Sequence, residues 1–126
     1  MIEDARLHLT LAEEMLEEAA AAAVRGAHRT AIDRAYYAMV HAASALLAAD
    51  GERAASHGRL IARLGEQFAR PGRIGREHHR AMLAAYDLRR AADYDPRAEF
   101  AIDDVEDLLT AARGFVGAAT SLVATL

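Results

Sequence analysis

Arg34 and His41 stand seven residues apart in the stretch AIDRAYYAMVHAASALLAADG, residues 31 to 51. Both are groups that can act on a phosphodiester. Cutting RNA without a metal requires a group that takes the 2′-hydroxyl proton or protonates the leaving 5′-oxygen. It also requires a cation beside the phosphorus as charge builds on its oxygens. Imidazole suits the first task, with an unperturbed pKa of about 6.5. Guanidinium suits the second, because its planar, permanently charged fork matches phosphate oxygens in pairs.

The stretch has the spacing of a helix, at about 100° per residue. Ile32, Tyr36, Met39, Ala43, Leu46 and Leu47 then form one bulky, core-facing stripe. Ala31, Ala35, Ala38, Ala42, Ala45 and Ala49 form a seam with nothing larger than a methyl group. Asp33, Tyr37, His41 and Ser44 fall with Arg34 on a polar stripe, opposite the bulky residues and beside the seam. Two turns separate Arg34 from His41, about 10.5 Å along the axis. Tyr37, between them, is placed to hydrogen-bond a phosphate or stack on a base. The seam lets another helix approach closely, from this chain or from a second copy, and a site on a dimer axis would receive both residues twice. Two plainer readings stay open on spacing alone. The stripe is an ordinary solvent face, or Arg34 pairs with an acid of the first helix while His41 bonds Ser44 or a neighbouring carboxylate.

These residues need a scaffold, and 126 residues suffice for one domain, 1–126, with a core of its own. The chain has no cysteine, which excludes disulfides and Cys-ligated zinc and fits a reducing cytoplasm. The first apolar stretch is broken by Glu13, Glu14, Glu17 and Glu18, and no uncharged apolar run reaches about 18 residues. A cytoplasmic protein without a signal peptide, membrane span or membrane partner is expected.

Net charge is −4, unevenly spread. Residues 1 to 24 carry one Arg against six acids, whereas residues 51 to 90 carry nine Arg against four. The basic middle either meets phosphates or is one of two solvated faces that attract each other. All 15 basic residues are Arg along the whole chain, a bias that points to codon usage rather than to a nucleic-acid surface.

Apolar spacing predicts helices over about 3–25, 28–49, 59–70, 75–93 and 100–124. Gly26, the Asp50–Gly51 pair, Pro71–Gly72 and the DYDP segment ending at Pro96 are the stops. The expected inward residues are Leu7, Leu9, Leu11, Met15 and Leu16 in the first helix, and Leu60, Ile61, Leu64 and Phe68 in the third. Met82, Leu83, Tyr86 and Leu88 serve the fourth; Ile102, Val105, Leu108, Leu109, Ala112 and Val116 serve the last. No strand-like alternation occurs. The fold class is all-α: an up-and-down bundle of four to five helices. His57 follows Ser56 where a helix cap belongs. His78 and His79 are adjacent and so diverge by about 100° on a helix. With Glu77 they lack the Glu-x-x-His spacing of di-iron bundles, so neither a metal nor a cofactor is expected.

The hallmark segment resembles that of HEPN domains (higher eukaryote and prokaryote nucleotide-binding), whose ribonuclease signature is Arg, four to six residues, then His. RAYYAMVH places six residues between Arg34 and His41. SHG at 56–58, AYDLRRAADYDP at 85–96 and LLTAARGFVGAA in the last helix are similar to small stand-alone bacterial HEPN proteins, so the resemblance spans about residues 3 to 120. It implies a five-helix bundle that dimerises, often as the toxin beside an antitoxin nucleotidyltransferase of the MNT type. It also implies metal-independent RNA cleavage at the dimer interface, with Arg34 holding the scissile phosphate and His41 moving protons. Asp33 would orient one of them. Arg89 and Tyr94 would touch RNA or nucleotide, unless Arg89 simply pairs with Asp93 and Tyr94 anchors the turn into Pro96. The alternative function is a non-catalytic HEPN module that binds a nucleotide or a nucleotidyltransferase partner. One related branch carries Tyr two residues after the His, where the partner attaches AMP; Ala43 stands there instead.

Overall fold

The computed structural model describes residues 2–126 as an all-α bundle of five helices. They are α1 (Ile2–Val24), α2 (His28–Ala49), α3 (His57–Leu64), α4 (Arg76–Tyr94) and α5 (Ile102–Ala124). Twelve residues of α2 are buried: Ala31, Ile32, Ala35, Tyr36, Ala38, Met39, Val40, Ala42, Ala43, Ala45, Leu46 and Leu47. That is more than one stripe, as a rod needs when it touches all four other helices.

The alanine seam is covered within the protomer. Ala31, Ala35, Ala38, Ala42 and Ala45 are completely buried, and α1 and α2 are the most extensively paired helices. From α1 the buried face is small as well: Ala5, Ala12, Leu16, Ala19 and Ala22. Two polar contacts record the antiparallel register. His8 meets His41 and Met15 meets Arg34, seven residues apart on both rods in opposite directions. Because the alanines take the inner face of α1, Leu7 and Leu11 are turned outward, contrary to the sequence expectation. Leu83 and Ile102 are likewise exposed, while the remaining expected residues of α3 and α5 are buried.

Helix α1 ends at Gly26, whose φ of 74° suits a residue without a Cβ. Ala27 N–H donates to the Ala22 carbonyl at 2.9 Å and Gly26 N–H to Ala23 at 3.0 Å, the paired bonds of a Schellman stop. The same bonds end α2, from Glu52 to Leu47 and from Gly51 to Ala48. No atom lies within 4 Å of a Cβ added at Gly26 or at Gly117 in mid-α5, so backbone preference alone decides those substitutions. Gly26→Ala should lose about 1 kcal/mol, and Gly117→Ala should gain about 0.5–1 kcal/mol. Urea melts of both variants measure the two signs.

Helix α3 runs into one π-helical turn, Gly65–Ala69, closed by Arg70 N–H to the Gly65 carbonyl at 2.8 Å. The His79 ring fills the space beside Gly65, with Nε2 3.1 Å from the Ile61 carbonyl; an added Cβ at Gly65 would lie 2.8 Å from that ring. Ser56 caps α3 by accepting from Arg59 N–H. The 95–101 connection is pinned to the start of α2. Arg29 donates to the carbonyls of Asp95 and Ala98 at 3.0 and 2.7 Å, and His28 Nδ1 lies 2.9 Å from the Phe100 carbonyl. Among the described residues no helix is long and apolar enough to cross a membrane.

Candidate active site

The polar stripe of α2 folds into two clusters. In the first, Asp33 Oδ2 receives Arg34 Nη2 at 2.6 Å and Nε at 3.2 Å. Arg34 Nη1 reaches Met15 Sδ at 3.3 Å and Glu18 Oε2 at 3.7 Å on α1, and the guanidinium lies 5.6 Å from the Tyr37 ring centroid. The hydrogen bond to Asp33 is the main reason its pKa is raised above the usual guanidinium value. One third of the Arg34 side chain remains exposed, which leaves the cation within reach of an anion.

Arg89 enters the same cluster from α4. Its Nη2 donates to the Tyr37 hydroxyl at 3.3 Å, and its Nε lies 2.9 Å from Asp93 and 3.7 Å from Asp33. The short Asp93 contact is an ion pair without a directed hydrogen bond, so Nε itself has no aligned acceptor. Burial works against the charge, but Tyr37, Asp93, Tyr94 and Asp33 outweigh it and hold the pKa high. One carboxylate, Asp33, therefore lies between two guanidiniums, with the Tyr37 ring within 5.6 Å of both. Beneath them Tyr36 is completely buried and its hydroxyl sits 3.1 Å from His57 Nδ1. Burial pushes the Tyr36 phenol up to about 12.

The second cluster is a pair of imidazoles. His41 Nδ1 lies 3.1 Å from His8 Nδ1 of α1, and the ring centroids are 5.4 Å apart. Burial lowers the pKa of His41, and His8 and Arg34 lower it further. His8 is lowered by burial too, against the pull of Asp4 and with the push of Arg53. His8 carries no signal of its own in the sequence, and it meets His41 only through the α1–α2 register.

Ser44 and His8 border a groove of about 630 Å³ whose walls include Leu7, Leu11, Leu47 and His57. The recorded bond of His41 goes to His8 rather than to Ser44. Tyr94 stands at the margin of the first cluster, where it acts on the Arg89 charge, but it is 72% exposed, beside Asp87, Arg90 and Asp95. The expected Arg89–Asp93 pair is present. His78 stacks on Phe115 and His79 is bonded to Ile61. Among the described residues no group of three or more His, Asp or Glu side chains is arranged to hold a metal ion.

Three half-buried histidines give stability a predictable pH dependence. Burial is the leading cause that holds His8, His41 and His57 below the ordinary 6.5 in the folded chain. The unfolded chain then binds more protons as pH falls through about 6.5, so the folded state loses ground there and down through its own lower values. The melting temperature should fall between about pH 7.5 and pH 5.5. Glu52, held down mainly by bonds from Gln67 and Arg63, acts only in the lower carboxylate range, so that window isolates the histidines. A melting temperature that is flat or rises on acidification contradicts this account.

The HEPN domain pattern matches residues 5–122. The chain belongs to the HEPN family. A protein named "UPF0332 protein" from Thermotoga maritima is 29% identical over 115 residues, covering 91% of this chain and 87% of the relative. "Putative toxin MJ0605" from Methanocaldococcus jannaschii is 34% identical over 92 residues, covering 73% and 69%. A further UPF0332 protein, from Gloeobacter violaceus, is 35% identical over 83 residues, 66% of each chain. Family membership and the helical bundle are thus as the sequence resemblance implied.

Proposed function

We propose that this HEPN protein is a metal-independent endoribonuclease, the toxin of a toxin–antitoxin pair with an MNT-type nucleotidyltransferase, working as a homodimer on RNA. The observation that carries the reading is the Arg34–His41 pair. The cation is fixed by Asp33 yet one third exposed, and it shares a helix face with an imidazole that burial keeps neutral near pH 7. Arg34 binds the scissile phosphate and stabilises charge growing on its oxygens. His41, as the neutral base, takes the 2′-hydroxyl proton. The 2′-oxygen attacks phosphorus, the 5′-oxygen leaves, and a 2′,3′-cyclic phosphate remains. Tyr37 and Arg89 extend the cationic, aromatic face along which neighbouring nucleotides lie. The toxin name of the Methanocaldococcus jannaschii relative supports the biological setting.

A second reading has its own support. Arg34 is already paired with Asp33 and lies near Glu18, a geometry that also serves a non-catalytic module holding a nucleotide or a nucleotidyltransferase. RNA incubated with the purified protein in EDTA separates the two. Fragments ending in cyclic or 3′-phosphate are expected; intact RNA alongside stable binding of nucleotide or partner favours the module.

A further inference from the structure

A base that accepts a proton becomes a cation, and His41 is badly placed to be one. It is half-buried, and Arg34 lies on its own helix. The structure supplies a second ring. At 3.1 Å the two Nδ1 atoms share a single proton, because two N–H groups cannot face each other at that distance. One ring donates and the other accepts, so the neutral pair contains one Nδ1 proton; with His41 as the donor, its Nε2 carries no proton and is the basic nitrogen. The charged groups that bear on the pair are Asp4 from α1, Arg34 from α2 and Arg53 from the α2–α3 connection. Asp4 favours a cation on His8, Arg53 opposes it, and Arg34 opposes a cation on His41. His8, unlike His41, also borders the open groove beside Ser44 and His57.

We propose that His8 is the positioning partner of His41, accepting the Nδ1 proton of His41 as Nε2 of His41 takes a proton from the substrate. The substrate O–H bond breaks and an N–H bond forms at His41 Nε2. The N–H bond at His41 Nδ1 breaks and one forms at His8 Nδ1. His41 finishes neutral with its proton on Nε2, ready to protonate a leaving oxygen. The positive charge finishes on His8, at the groove wall, where Asp4 favours it and Arg53 opposes it. The substrate step rests on the nuclease reading above; the proton sharing between the rings does not.

The test uses the intact protein labelled with ¹⁵N, whose ring nitrogens report tautomer and charge by NMR between about pH 8 and pH 5. In the parent, His8 should take up charge before His41, and the His41 Nδ1 signal should be that of a hydrogen-bonded nitrogen. In His8→Asn the carboxamide oxygen still accepts from His41 Nδ1 but cannot be protonated, so His41 must carry the charge itself. RNA cleavage by that variant at neutral pH should fall about tenfold to a hundredfold, with an altered pH profile. Its melting temperature should stay within about 4 °C of the parent. His8→Ala, which removes the acceptor, should lose at least as much. The proposal is overturned if His41 charges first in the parent, if its Nδ1 signal ignores the loss of His8, or if His8→Asn cleaves as fast as the parent. If the parent cuts no RNA, the nuclease reading fails alone and the NMR titration still decides the pairing.

Discussion

Arg34→Ala and His41→Ala should each abolish RNA cleavage while leaving the bundle folded. The size of the loss follows from what each group does. Removing a positioned cation from a phosphoryl-transfer site lowers turnover by about 10³-fold or more. Removing a general acid or base lowers it by about 10²–10⁴-fold. Neither change should cost much stability. The Arg34 side chain is one third exposed and its ion pairs are open to solvent, so their loss is worth about 0–1 kcal/mol. His41 loses a single bond to His8, at a position where burial already disfavours its charge. Arg34→Lys separates charge from shape. Lysine keeps the charge but not the two-pronged fork, so activity should recover only in part. Cleavage rates with defined end groups, beside thermal melts of the same preparations, read both quantities. If both alanine variants cut like the parent, the Arg–His pair has no catalytic part and the binding module becomes the better reading.

How much of this was legible beforehand differs between fold and site. The five helices were readable because their stops are chemical: Gly26 and Gly51 sit at positive φ, and Pro71 and Pro96 cannot continue a helix. The bulky face of α2 was readable from its period. The inner face of α1 was not, because periodicity ranks leucine above alanine. Close packing against an alanine seam rewards the smaller residue, so Leu7 and Leu11 were assigned inward while Ala5 and Ala12 hold the contact. The π turn after α3 was also beyond reach: Gly65 is required by the His79 ring, which arrives from another helix. Arg34, Asp33 and Tyr37 could be grouped from one helix alone. Arg89 stands out in the sequence by its place in a segment, not by the Tyr37 hydroxyl it meets across the bundle. His8 gave no local signal. A histidine in an acidic first helix becomes significant only when the antiparallel register sets it opposite His41.

That dependence of the site on cross-bundle contacts makes Tyr36 the position where stability and site should fail together. Its side chain is completely buried between the rings of Tyr86, Tyr37 and His57, at 6.0, 5.3 and 5.7 Å, with the Arg89 guanidinium 5.7 Å from its ring. Tyr36→Ala removes the whole ring from a close-packed interior, which costs about 3–5 kcal/mol for an aromatic of this size. That is a large part of the roughly 5–15 kcal/mol that holds a domain of this kind together. It should lower the urea midpoint sharply and release Arg89 and Tyr37 from their fixed positions. Tyr36→Phe separates packing from polarity. The ring stays, only the hydroxyl bond to His57 Nδ1 is lost, and the expected cost is about 1 kcal/mol, rising toward 3 kcal/mol if the imidazole stays unpaired. Phenylalanine at this position should also raise the pKa of His57 little, because burial and Arg89, not the phenol, hold it down. Equal destabilisation by the two substitutions would show that the hydroxyl–imidazole bond, rather than the buried ring, keeps α2 and α3 together.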